Sequence, residues 1–180
     1  MLEKRLPADL GRLSVEALKT SEKLPLVLVL DDIRSALNVG SVFRTADAFA
    51  VERLVLCGIT ACPPHREIHK TALGSVETVA WSYSPKAAQA LQQLRSEGYR
   101  VLAIEQVKTS LALQAFVPEL GVRYAFVLGN EISGVSQGAL EHCDGALEIP
   151  QFGAKHSLNV AVAAGIAVWE FVRKHRLSGQ

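Results

Sequence analysis

Three stretches of this 180-residue chain gather residue types able to do chemistry at the spacing chemistry needs. The first runs Leu30-Asp31-Asp32-Ile33-Arg34-Ser35-Ala36-Leu37-Asn38-Val39-Gly40-Ser41-Val42-Phe43-Arg44, an apolar run giving way to a polar loop and then to helical spacing. Asn38 is placed to cap that helix, accepting from a free amide one turn on. Arg44 follows about one and two-thirds turns later, opposite the apolar stripe. It is free to meet a substrate or to pair with Asp47 at i+3, a contact worth roughly a few tenths of a kcal/mol. The second stretch, Leu128-Gly129-Asn130-Glu131-Ile132-Ser133-Gly134-Val135, ends an apolar strand in Gly-Asn with a carboxylate directly behind. Glycine admits a ligand close to the backbone and Asn tolerates a left-handed turn. Glu131 equally suits the first turn of a following helix, where the dipole favours a carboxylate. The third, Glu148-Ile149-Pro150-Gln151-Phe152-Gly153-Ala154-Lys155-His156-Ser157-Leu158-Asn159-Val160, again ends a strand in a Pro/Gly loop, with Ser157 the expected cap of the next helix.

Other chemistries lack their fingerprints. No G-x-G-x-x-G follows a strand, which speaks against a dinucleotide fold and the glycine-rich methyltransferase loop. Gly153–Ser157 lacks P-loop spacing, and there is no G-x-S-x-G elbow. Cys57, Cys62, His65 and His69 stand at C-x4-C-x2-H-x3-H, but the short middle gap is unlike a zinc finger. No metal is therefore expected; Cys57 reads as a buried thiol. The histidines, Arg66 and Lys70 read either as a loop that meets a polyanion or as a solvated one.

The elements that must position these stretches follow from periodicity. Helical spacing is expected over Leu10–Lys19, Asn38–Ala50, Pro85–Glu97, Ser136–His142 and Ser157–Arg176. Short apolar runs predict strands at Leu24–Leu30, Arg53–Cys57, Arg100–Ile104, Tyr124–Leu128 and Ala146–Ile149, with a loop over Gly58–Gly74. Alternating strands and helices imply a single α/β domain over 1–180 with a mostly parallel sheet, residues 1–23 being a short helical extension. The closing helix is apolar nearly all round over Val160–Trp169, so it is either a plain core helix or one shared with a second subunit.

Composition bounds the rest. With 49% hydrophobic and 21% charged residues the chain is neither disordered nor fibrous. Its net charge of +1 excludes nucleic-acid binding by bulk charge but not a local basic face. Three cysteines without a disulfide-scaffold composition, no signal-peptide layout and no transmembrane-length apolar run predict a cytoplasmic protein with no membrane partner.

In this order, the three stretches resemble the SpoU (TrmH-like) branch of the SPOUT superfamily of RNA methyltransferases. The first matches N-x-G-x-x-x-R at Asn38, Gly40 and Arg44; the second matches strand-G-N-E at Gly129, Asn130 and Glu131. The third matches I-P-x-x-G-x-x-x-S-L-N-V at Ile149, Pro150, Gly153, Ser157, Leu158, Asn159 and Val160. The resemblance implies a mostly parallel sheet flanked by helices with a deep C-terminal trefoil knot, a feature a sequence-only argument would exclude. It implies a homodimer with the closing helix at the interface, so that a charge at Ala163 or Ala167 should break the dimer or unfold the protein.

It also implies S-adenosyl-L-methionine held against Leu128, Gly129, Asn130, Ile149, Leu158 and Asn159, with Glu105 in a further wall formed by Ala103–Gln106. The implied reaction is methyl transfer to a ribose 2′-hydroxyl of RNA, tRNA before rRNA, with DNA no partner. Arg44 would activate the hydroxyl, and Asn38, Glu131, Ser157 and Asn159 would orient it, the ribose and its phosphate. A guanidinium keeps its proton far above neutral pH, so Arg44 is expected to act together with the neighbouring RNA phosphate. The alternative is a non-catalytic RNA-binding or ribosome-assembly protein that retains the fold. A base methyltransferase of the wider superfamily would lack the Arg44 motif. Arg5, Arg12, Lys19 and Lys23, then Arg34, Arg66 and Lys70, and finally Arg173-Lys174-His175-Arg176 are the expected basic rim. At 6% aromatic residues, backbone and shape reading suits better than base stacking.

Overall fold

Leu24-Pro25-Leu26-Val27-Leu28-Val29-Leu30-Asp31 is almost wholly buried because it forms the middle of a sheet covered on both faces. In this computed structural model, which describes residues 2–6, 9, 11, 13–155 and 157–177, that segment is strand β1 (Leu24–Asp31). Helix α1 (Val15–Thr20) precedes it, capped by Ser14, and buries none of its residues. Then come α2 (Ala36–Ala48), β2 (Val51–Cys57), α3 (Arg66–Ala72), β3 (Ala80–Ser84), α4 (Ala87–Ser96) and β4 (Tyr99–Ile104). The chain continues through β5 (Leu111–Ala112), β6 (Arg123–Leu128), α5 (Gln137–Leu140), β7 (Gly145–Glu148) and α6 (Val160–His175). The strands lie in the order β3-β2-β1-β6-β4-β7-β5, and every pairing between them is parallel.

Period-two alternation divides the core. Leu24, Leu26, Leu28 and Leu30 face one side with α2, α3 and α6, while Val27 and Val29 face the other with α4 and α5. Phe171 of α6 meets Tyr124 and Phe126 of β6 edge-on, each at 5.6 Å. Since all strands are parallel, their carboxyl ends share one edge, where ligands of open α/β sheets bind.

Several boundaries differ from the sequence expectation. Helix α2 starts two residues earlier than expected, with Ser35 rather than Asn38 as its cap. Helix α6 starts later, capped by Asn159 rather than Ser157. Residues 58–74 are not all loop, because α3 packs on α2 so closely that a Cβ at Gly40 would strike Thr71 and the Ile68 carbonyl. Strands β3 and β5 were not expected: β3 is an exposed edge without alternation, and β5 has only two residues. Leu10 and Arg12 of the expected first helix lie outside the described residues. Among the described residues, no helix is long and apolar enough to cross a membrane.

Candidate active site

At the carboxyl ends of β6, β4 and β7 a cleft of about 630 Å³ opens, within the range of small-ligand sites. The segment after β6 forms one wall, Ile104–Val107 after β4 a second, and Ile149 and Gln151 after β7 a third; the start of α6 closes it. Leu128, Gly129, Asn130, Glu131, Ile149, Ser157, Leu158 and Glu105 all line it.

The wall after β6 is a tight turn. A Cβ at Gly129 would run into the backbone of Gly134 and Val135, so only glycine fits there. Asn130 and Gly134 exchange two backbone hydrogen bonds of 2.9 Å. The Asn130 side-chain carbonyl accepts from the Ile132 and Ser133 amides at 2.9 and 3.2 Å, and its amide donates to the Asp32 carbonyl at 2.7 Å. Glu105 accepts from the Val135 amide at 3.0 Å and from the Gln106 amide at 2.8 Å. Its carboxylate therefore ties two walls together. Glu131 is not in a helical first turn, since α5 begins only at Gln137.

One network joins the three stretches. Glu131 accepts from the Arg34 amide at 3.0 Å, the Ser35 amide at 3.2 Å and the Asn38 side-chain amide at 2.9 Å. Asn38 in turn accepts from the Asn159 side-chain amide at 3.1 Å, and Asn159 caps α6 by accepting from Ala161 and Val162 at 2.9 and 3.4 Å. Because Ser35 caps α2, the Asn38 side chain is released to bridge Glu131 and Asn159. Partial burial by itself would raise the Glu131 carboxyl, but the Arg34 amide, the Asn38 side chain and the Ser35 amide hold it below the ordinary carboxylate value.

Arg44 stands apart. It is exposed on α2, does not line the cleft of its own chain and, among the described residues, has no ion pair. Asp47, its alternative partner, accepts from the Thr78 hydroxyl instead. Ser157 is exposed at the cleft mouth. Gln106 lines the cleft within the expected Ala103–Gln106 wall, whereas sequence reasoning missed Gln137 and Gln151, which also line it; Gln151, inside the Ile149–Gly153 loop, is the one whose position was a signal. It also missed that the Arg34 and Ser35 amides anchor Glu131.

Part of the expected basic rim is already engaged, beginning with Lys70, which pairs with Glu67. Arg173 and Lys174 pair with Glu170, and Lys174 also donates to the carbonyls of Leu113, Gln114 and Phe116. Lys23 donates to the Leu18 carbonyl and Arg176 to that of Glu22. On α6, Val162, Ile166 and Trp169 form the exposed apolar stripe, whereas Ala163 faces the cleft and Ala167 is buried. Burial, reinforced by Asp31, pushes the Cys57 thiol up to about 12, and burial pushes Cys143 up to about 11. Among the described residues, no three His, Cys, Asp or Glu side chains stand close enough to hold a metal.

A model of the SpoU rRNA Methylase family matches residues 25–169, a span that takes in all three stretches. The chain is 30% identical over 165 residues to the 23S rRNA (guanosine-2'-O-)-methyltransferase RlmB of Neisseria meningitidis serogroup B, covering 92% of this chain and 65% of that protein. It spans a little under two thirds of the length of the first curated relatives it matches. Among solved structures it is similar to the A. aeolicus TrmH/SpoU tRNA modifying enzyme, with a TM-score of 0.80, 25% identity and coverage of 92% of this chain and 84% of that one. It is also similar to the AdoMet-bound rRNA methyltransferase from Sinorhizobium meliloti, with a TM-score of 0.77, 26% identity and coverage of 87% and 59%.

Proposed function

The chain belongs to the SpoU rRNA methylase family, and on that premise we propose that it transfers a methyl group from S-adenosyl-L-methionine to a ribose 2′-hydroxyl of RNA. The observation that carries this reading is the network Glu131–Asn38–Asn159, which ties the three family motifs into one body at the mouth of the cleft. The relatives include enzymes of both rRNA and tRNA. We take tRNA as the first substrate to assay, because the A. aeolicus tRNA modifying enzyme shares the fold at a TM-score of 0.80.

The cleft suits the cofactor. Its volume of about 630 Å³ matches a nucleoside-sized ligand, and the missing side chain at Gly129 leaves backbone at its wall. Leu128, Gly129, Asn130, Ile149 and Leu158 would hold the group, while Asn159, expected with them, does not line the cleft and instead caps α6 beside it, and Glu105 keeps two walls at fixed separation. When bound, S-adenosyl-L-methionine supplies an electrophilic methyl on a sulfonium. Arg44 would donate to the ribose 2′-oxygen and the adjacent phosphate, stabilising negative charge as the hydroxyl proton leaves for solvent. Asn38, Glu131, Ser157 and Asn159 would align the ribose with the cleft.

Because Arg44 lies outside the cleft of its own chain, the reading includes a homodimer in which Arg44 of one protomer serves the cleft of the other. The exposed stripe Val162, Ile166 and Trp169 on α6 is the surface that supports such an interface. The deep trefoil knot of the family belongs to the same reading, supported by the similarity in fold to the A. aeolicus TrmH/SpoU enzyme.

The test is transfer of labelled methyl from S-adenosyl-L-methionine to separate tRNA and rRNA pools, followed by nuclease mapping. Label in a 2′-O-methyl nucleotide is the expected result. Cofactor binding without transfer to any pool would favour a non-catalytic RNA-binding protein, and label on a base would overturn the assignment of Arg44. For the dimer, Ile166→Glu is expected to sediment as a folded monomer; a folded dimer would remove the α6 stripe from the interface.

A further inference from the structure

The two edges of the sheet treat charge differently. At the amino edge, where strands begin, Arg53, Arg95, Arg100 and Arg123 are each ion-paired, to Glu97, Asp144, Glu119 and Glu52. At the carboxyl edge, an exposed cation follows five strands: Arg34 after β1, Arg66 after β2, Lys86 after β3, Lys108 after β4 and Lys155 after β7. Among the described residues, none of these five side chains has a hydrogen-bond or ion-pair partner.

Carboxylates are present at that edge, but they are engaged elsewhere. Asp31 accepts from the Ser136 amide at 2.8 Å, Asp32 from the Ile59 amide at 2.9 Å, and Glu148 from the Ser110 hydroxyl at 2.6 Å. Glu105 and Glu131 are held by backbone amides as described above. All five are buried or half-buried, whereas all five cations are exposed. The carboxyl edge thus has an inner layer of carboxylates, four held by backbone amides and Glu148 by the Ser110 hydroxyl, beneath these five exposed cations, while Lys70 of α3 pairs with Glu67. A net charge of +1 conceals this arrangement completely.

Strands β3, β2 and β1 are neighbours; Lys86 and Arg34 follow their strands by two and three residues, and Arg66 opens α3, nine residues beyond the end of β2. Arg34 gives its own backbone amide to Glu131, so the row ends at the Glu131–Asn38–Asn159 network. We infer that Lys86, Arg66 and Arg34 form an arc that tracks the phosphates of an RNA strand and leads one ribose to the cleft. This rests on the proposed RNA methyltransferase reading. Exposed guanidinium forks match phosphate oxygens in a bidentate manner, and Lys86 adds a point charge at the start of the row.

The experiment measures tRNA affinity of the full chain by fluorescence anisotropy from 50 to 300 mM salt, for the wild type and for the triple variant Arg34→Gln, Arg66→Gln, Lys86→Gln. Each lost phosphate contact lowers the log–log salt slope by about 0.7–0.9, so the triple variant should lose about 2–3 and bind about tenfold or more weakly at low salt. Arg34→Gln and Arg66→Gln alone should each lose about 0.7–0.9, which keeps the test informative should the triple variant misfold. The amino-edge control Arg100→Gln should change neither affinity nor slope. A triple variant with wild-type slope would overturn the arc, as would duplex DNA bound as tightly as tRNA. RNA binding with the expected slope losses but no methyl transfer would overturn the activity and leave the arc standing. Undiminished transfer and binding in the triple variant would do the reverse.

Discussion

At the amino edge of the sheet Arg123 lies over the Tyr99 ring at 3.9 Å and donates to Glu52 at 2.8 Å, while Tyr99 donates to the same carboxylate. At the carboxyl edge Glu131 is satisfied by two backbone amides and an asparagine, and no cation touches it. Both edges hold carboxylates in place, but with different donors. Side-chain cations neutralise the amino edge and close it. Backbone amides satisfy the carboxyl edge just as fully in hydrogen bonds, and they leave the exposed Arg34 and Arg66 side chains without ion pairs. An edge can therefore be rigid without using up the charge it needs for binding.

The largest effect that would sharpen this contrast is at Arg44. Arg44→Ala should lower methyl transfer by about 10²–10⁴-fold, with cofactor affinity nearly unchanged by calorimetry. Collapse of cofactor binding instead would place Arg44 in the cleft rather than in the chemistry. Next is Glu131→Ala, which strips the acceptor from three donors at about 1–3 kcal/mol in total. Its thermal midpoint should fall by several degrees, and cofactor affinity should fall with it. An unchanged midpoint would mean that the network is not what holds the carboxyl edge.

Glu52→Ala supplies the amino-edge counterpart. It leaves Tyr99 and Arg123 without their acceptor at about 1 kcal/mol, or about 2–4 °C in a chain of this size. Methyl transfer measured below the new midpoint should stay at the wild-type rate; a loss of rate would show that the two edges are coupled.

The smallest effect concerns pH. Hydrogen bonds from Arg173 and then Lys174 hold the Glu170 carboxyl down at about 2. A carboxylate whose value is lowered on folding contributes its full stability above the unfolded value of about 4.3. That contribution is lost as pH falls from there toward about 2. Thermal melts of wild type and Glu170→Gln should therefore differ above about pH 5 and converge in acid, and 1 M salt should shrink the difference. A difference that is undiminished at pH 2.5 would assign the effect to packing.

Much of this architecture was legible from residue types alone. Leu24–Leu30 and Tyr124–Leu128 were expected as strands because runs of Val, Leu and Phe have no other way to be buried on two faces. Strand β3, Ala80-Trp81-Ser82-Tyr83-Ser84, escaped notice because an exposed edge imposes no alternation. Helix α3 escaped because its helical pattern is only seven residues long and its buried face rests on Gly40 of another helix. The two capping errors share one cause. Ser35 and Asn38 can each cap α2, and Ser157 and Asn159 can each cap α6, since all four side chains present an acceptor at suitable spacing. Local propensity cannot choose between them. Glu131, 93 residues from Asn38, makes the choice at α2 by claiming the Asn38 amide.

By itself, then, the sequence determined the parallel α/β class, the order of the three motifs and the residue types that line the cleft, because periodicity and motif spacing are properties of neighbouring residues. Tertiary structure decided which polar atoms satisfy one another and which are left free. Glu131 meets Asn38, Asn38 meets Asn159, Lys174 spends its charge on backbone carbonyls, and Arg34 and Arg66 keep theirs. Hydrogen bonds and ion pairs form between groups close in space, and the fold alone brings Asn38 within about 3 Å of both Glu131 and Asn159.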